Sequence, residues 1–143
     1  MLIKSTALIG IILILCGCQP NEFVLPPGNM EAGKSTFASL GCNGCHSVTN
    51  LVEHAPIEGG GIHVELGGTV SRIKTYDDLV TSIINPSHKL SRGMNAMTTT
   101  QEGLSRMPTY NEVMTVQQLV VLTTFLENTY EIWVPPYSVY HYP

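Results

Sequence analysis

Two cysteines three residues apart, with a histidine directly after the second, constrain this chain more than any other stretch: Cys42-Asn43-Gly44-Cys45-His46. On a helical turn, positions i and i+3 share a face and i+4 lies beside them, so both thiols and the imidazole reach one object. A C-x-x-C pair has three uses in an exported chain: a tight disulfide, half of a zinc site, or covalent attachment of haem. The histidine decides for haem, because two thiols can form thioethers to the porphyrin vinyl groups while His46 binds iron. A zinc site would need four ligands, and the sequence contains no second cysteine pair or H-x-x-x-H to complete one. A thioredoxin-like motif would follow a strand in a βαβ setting, whereas the approach NMEAGKSTFASLG reads as helix.

The other two cysteines belong to the leader. Residues 1–17, MLIKSTALIGIILILCG, carry Lys4 and then an apolar run too short for an ordinary membrane anchor, which is the pattern of a signal peptide. Leu15, Cys16 and Gly17 precede Cys18, and this junction resembles the lipobox of bacterial lipoproteins. That resemblance implies cleavage before Cys18, acylation of its thiol, and tethering to a membrane facing the periplasm, the outer membrane if the source is Gram-negative. A plain secretory signal, with Cys18 an ordinary thiol, is the alternative. Cleavage removes Cys16, so only Cys42 and Cys45 remain as a pair. It also removes Lys4 and no acid, leaving six basic against eleven acidic residues. With no basic run, the chain carries no footprint for nucleic acid. Its acidity predicts docking on a basic or neutral surface.

The 143 residues, 13% charged and 43% hydrophobic, suit one small globular domain. Three helical segments are expected. The first is capped by Asn29 and carries Gly33, Phe37 and Leu40 on one stripe. A second begins with a capping-box pattern from Thr75 to Asp78, carries Leu79, Val80, Ile83 and Ile84, and stops at Asn85-Pro86. A third begins with the pattern Thr115 to Gln118 and continues LVVLTTFLEN, apolar nearly all round and therefore sandwiched. The only alternating run, IHVEL at 62–66, is brief and bounded by glycines. The expected fold class is all-α.

Taken in order, GKSTFASLGCNGCHSV, ELGGTVSRIKTYDDLVTSIINPS and SRMPTYNEVMTVQQLVVLTTFLE resemble the successive blocks of a class I monohaem cytochrome c. The resemblance spans 29 to about 128. It implies a cytochrome c-like fold, three main helices and loops wrapped around one covalent haem c. It also implies a close crossing of first and last helices, with Gly33, Phe37 and Phe125 at the contact. A methionine of a Met-Pro pair before the last helix supplies the sixth ligand in that family. Met107-Pro108 matches, and proline stiffens such a loop; Met94, Met97 and Met114 are the rivals. The family's Gly-Pro-x-Leu, whose proline carbonyl accepts the axial histidine's Nδ1–H, is departed from here: HVELGG puts Val64 at the proline, and a valine carbonyl can take the same bond.

His54, His63, His88 and His141 have no metal-ligand spacing and are expected on the surface. Arg72 and Lys74 are candidates for a haem propionate, against a solvated face. EGGGI at 58–62 lacks the Lys-Ser/Thr of a phosphate cradle and reads as loop. Residues 18–28 form a Pro-rich tether reaching roughly 30 Å. Residues 129–143, rich in proline and aromatics, either cover the domain or present Trp133, Tyr137, Tyr140 and Tyr142 to a partner. The cofactor-binding set is therefore Cys42, Cys45, His46 and Met107, with His46 and Met107 on iron and Cys18 lipidated. A His/Met haem has no open position and suits a one-electron carrier or an electron-accepting subunit, not itself an enzyme, between a donor dehydrogenase and an acceptor cytochrome or oxidase. The alternative is a haem sensor or small catalytic cytochrome whose methionine is displaced.

Overall fold

The computed structural model describes residues 25–51, 61–72, 74–90 and 96–134. The leader, Cys18, His54, Met94, His141 and the tail beyond Val134 lie outside them. Helix α1 (Met30–Ser39) starts where Asn29 Oδ1 accepts the Ala32 N–H at 2.8 Å. Helix α2 (Tyr76–Ile84) is capped by Thr75 Oγ1, which accepts from Asp78 N at 3.3 Å, and ends at Asn85. Helix α3 (Val116–Glu127) has the full capping box. Thr115 Oγ1 accepts from Gln118 N at 3.1 Å, and Gln118 Oε1 accepts from Thr115 N at 2.8 Å. All three starts are where local cap chemistry puts them.

The expected all-α, cytochrome c-like fold is not what forms. The structure is a small α/β fold with three helices and two parallel strand pairs. Strand β1 (His46–Val48) pairs with β2 (Val64–Leu66), with His46 opposite Val64. Strand β3 (Gly68–Val70) pairs with β4 (Tyr130–Ile132). Each strand is three residues long. No alternating pattern is readable over such a length, and parallel partners lie far apart in the chain, so the pairing comes from tertiary folding. The start of the tail is accordingly part of the domain, with Trp133 N–H donating to Val70 O at 2.9 Å while its side chain stays exposed.

The core lies where α1, α2 and α3 meet. Phe37, Leu79, Ile83, Leu122, Phe125 and Leu126 are buried together with Cys42 and Val48. Phe37 and Phe125 meet edge to face, with centroids 5.9 Å apart at 61°. A Cβ added to Gly33 would run into Val121 O and Phe125 Cβ, so only glycine lets α1 approach α3 this closely. The contact expected among Gly33, Phe37 and Phe125 is formed. Val120 to Thr123, Phe125 and Leu126 are buried along α3, whereas Val116 in its first turn is exposed.

Candidate functional site

From α1 the chain enters a 3₁₀ turn, Cys42–Gly44, closed by Cys45 N–H donating to Cys42 O at 3.1 Å. In such a turn residues three apart eclipse, which puts Cys42 and Cys45 on one side. Both thiols are free, Cys42 buried and Cys45 half-buried. Burial pushes the Cys42 thiol above its ordinary value; a hydrogen bond from its own main chain partly offsets this, and the Cys45 thiol adds to it. A neutral sulfur suits this wall, and a thioether is neutral too.

His46 opens β1, and Val64 opposite bonds both to its ring and to the main chain of Cys45 before it. The Val64 N–H donates to Cys45 O at 2.9 Å, and Val64 O lies 3.1 Å from His46 Nδ1. A carbonyl only accepts, so Nδ1 carries the proton, and in the neutral imidazole the lone pair is then on Nε2. That is the tautomer a metal-binding imidazole needs, with a partner that raises its basicity. The carbonyl acceptor was foreseeable by alignment with the proline of the resembling family; the N–H donor was not, because proline has none. Val64→Pro should therefore destabilise the domain by about 2 kcal/mol more than Val64→Ala, since Cys45 O loses its partner and β1–β2 loses a rung. Denaturant titration of the two variants measures the difference.

These residues face a cavity of about 550 Å³, a volume typical of cofactor and ligand pockets. Cys42, Cys45, His46, Met107 and Pro108 all line it. Apolar side chains from all three helices wall it: Phe37 of α1 and Leu40 just beyond it, Leu79 and Ile83 of α2, Leu122 and Leu126 of α3. Met107 is half-buried, on a loop where its N–H donates to Ser105 Oγ at 3.2 Å. Of the rival methionines, Met114 also lines the cavity and packs on the core. Met97 is 59% exposed and does not line the cavity, and Met94 lies outside the described residues.

Of the two candidate cations, Lys74 lines the cavity and Arg72 does not. Lys89 and Arg106 were missed. Lys89 Nζ also pairs with Asp78 at 3.2 Å, and Arg106 Nε donates to Thr99 O at 3.0 Å. Together they place three cations around a largely apolar hollow in an acidic chain, with Glu65 the one carboxylate among the described lining residues. Tyr110 and Tyr130 were missed as well; burial, above all, raises both phenols above their ordinary value and keeps them neutral. No short-range pattern marks these four, which come from segments joined only by folding. His63 and His88 are exposed, as expected of surface histidines; His63 Nε2 lies 3.4 Å from Ser47 Oγ. Among the described residues, no three or more His, Cys, Asp or Glu side chains converge as a metal cage, so the thiol pair lacks the partners of a four-ligand zinc site.

The residue set fits a covalently held haem: two thiols on one side of a turn, a histidine in the required tautomer, a methionine on the same cavity, apolar walls and cations for carboxylates. No family model, curated protein or solved structure matches this chain.

Proposed function

We propose that this protein is a one-electron carrier, or the electron-accepting subunit of an oxidoreductase, that holds one c-type haem. The single observation supporting this most is the clamp on His46, whose Nδ1 faces Val64 O at 3.1 Å beside a C-x-x-C turn that opens on an apolar cavity. Bound haem would supply a ferric/ferrous couple. Cys42 and Cys45 would attach it through thioethers, His46 would bind iron through Nε2, and Met107 would supply a thioether sulfur as the other protein ligand. Lys74, Lys89 and Arg106 would meet its carboxylates. The apolar side chains of α1, α2 and α3 on the cavity would give the couple a low-polarity surrounding that changes little between oxidation states. With histidine and methionine both in place, nothing else reaches the metal without displacing a ligand, and electron transfer is the chemistry left. The motif order resembles that of monohaem cytochromes c and supports the same reading. A signal peptide and acylation of Cys18 would place the carrier on a membrane facing the periplasm, with redox proteins as partners.

The test is a pyridine haemochrome spectrum of protein matured with haem-attachment machinery. The thioether-type spectrum is expected, and Cys42→Ala with Cys45→Ala should abolish covalent attachment. A wild-type chain without covalent haem under those conditions rejects the reading in favour of a thiol redox or metal module.

A further inference from the structure

We infer that the tether holds the cavity on the side of the domain turned away from the membrane, so that the partner is a redox protein approaching through water and not a lipid-dissolved quinol. This rests on the reading above of an acylated Cys18 and a redox-active cavity.

The attachment point is fixed by Gly28. Its N–H donates to Thr124 Oγ1 at 3.0 Å. A Cβ there would stand 2.7 Å from Thr124 Oγ1, 2.8 Å from Val121 Cα and 2.9 Å from Val120 O, so the glycine backbone lies directly on α3. The chain preceding α1 is thereby pinned to one face of α3. The cavity uses another face, through Leu122 and Leu126. At about 100° per residue, the direction shared by Leu122 and Leu126 and that shared by Val120, Val121 and Thr124 differ by roughly 180°. Helix α3 is thus a wall with Gly28 on its back and the cavity on its front. The cavity's charged lining, Lys74, Lys89, Arg106 and Glu65, comes from segments outside α1 and α3.

Reach decides whether the tether can compensate. The chain from Cys18 to Gly28 spans at most about 35 Å fully extended. A domain of about 100 residues has a radius of gyration near 13 Å, and hence a radius near 17 Å and a half-circumference of about 50 Å. The tether is too short to carry the lipid round to the opposite pole. In the reaction this allows, a reduced protein partner gives one electron to the ferric centre; the partner is oxidised by one electron, and no bond or proton moves.

The experiment uses the acylated full chain on phospholipid vesicles carrying a headgroup photoprobe, with peptide mapping by mass spectrometry. Probe should mark the tether peptide, while peptides holding Lys74, Lys89 and Arg106 carry no more than a vesicle-free control. Labelling of those peptides at the level of the tether overturns the inference. A second arm loads the bilayer with a long-chain quinol, each molecule of which gives one electron to each of two chains and two protons to water. The chain should stay oxidised until aqueous ascorbate is added, and direct reduction by the bilayer quinol overturns the inference. A variant with twenty Gly/Ser residues inserted after Asn21 relaxes the reach limit, and any rim labelling or quinol reduction gained there but lost with the natural tether supports it. A chain that does not float with vesicles overturns the inference through the anchor, and one without a haemochrome through the cofactor, so the failures are distinguishable.

Discussion

Met107→Ala should open the site while leaving the haem attached. On the proposed reading Cys42 and Cys45 would retain the group, so the haemochrome should be unchanged, but the weak red-region band of sulfur-ligated ferric haem should disappear. The reduction potential should fall, because a thioether favours ferrous iron over ferric and water or hydroxide would replace it. Carbon monoxide should bind the reduced variant readily and the wild type poorly. The structure narrows what a different outcome means. Met97 is exposed and off the cavity, whereas Met114 lines it. A band that survives Met107→Ala and vanishes in Met114→Ala moves the ligand by seven residues and leaves the carrier reading intact. Rapid carbon monoxide binding by the wild type instead favours the sensor reading, in which the methionine is displaced.

Gly33→Ala should be among the most damaging single-methyl changes in the protein. Alanine is worth about 1 kcal/mol more than glycine inside a helix. Here that gain is overrun, since the new methyl meets Val121 O, a main-chain atom of α3 that cannot rotate away, and Phe125 Cβ. Overpacking of this kind costs typically 1–3 kcal/mol and more against backbone. A net loss of about 2 kcal/mol is expected, a large share of a small domain's stability. The denaturation midpoint should drop with little change in slope. Displacement of α1 from α3 also shifts Phe37 and Leu40, which wall the cavity. An unchanged midpoint would contradict the close crossing.

The parts of this protein that were legible in sequence are those governed by chemistry within one turn of chain. Asn29, Thr75 and Thr115 mark helix starts because each cap bond spans only three residues. Cys42 and Cys45 share a side for the same reason: the 3₁₀ turn that aligns them closes within the motif. The stripe of Gly33 and Phe37 announces a partner surface through its periodicity.

Interactions between distant segments had no such signature. His46–Val48 and Val64–Leu66 are strands only because each finds the other, and β4 exists because the chain beyond α3 returns to Gly68–Val70. An all-α reading follows naturally when the extended pieces are too short to alternate, and the sheet pairs overturn it. Lys89, Arg106, Tyr110 and Tyr130 carry no motif of their own and gain meaning only from the cavity that four separate regions of chain close around. Val64 stands between the two cases. Its carbonyl was foreseeable by alignment, but its N–H contact with Cys45 O depends on a strand register that only the folded chain sets, because a backbone donor is chosen by geometry and not by side-chain type.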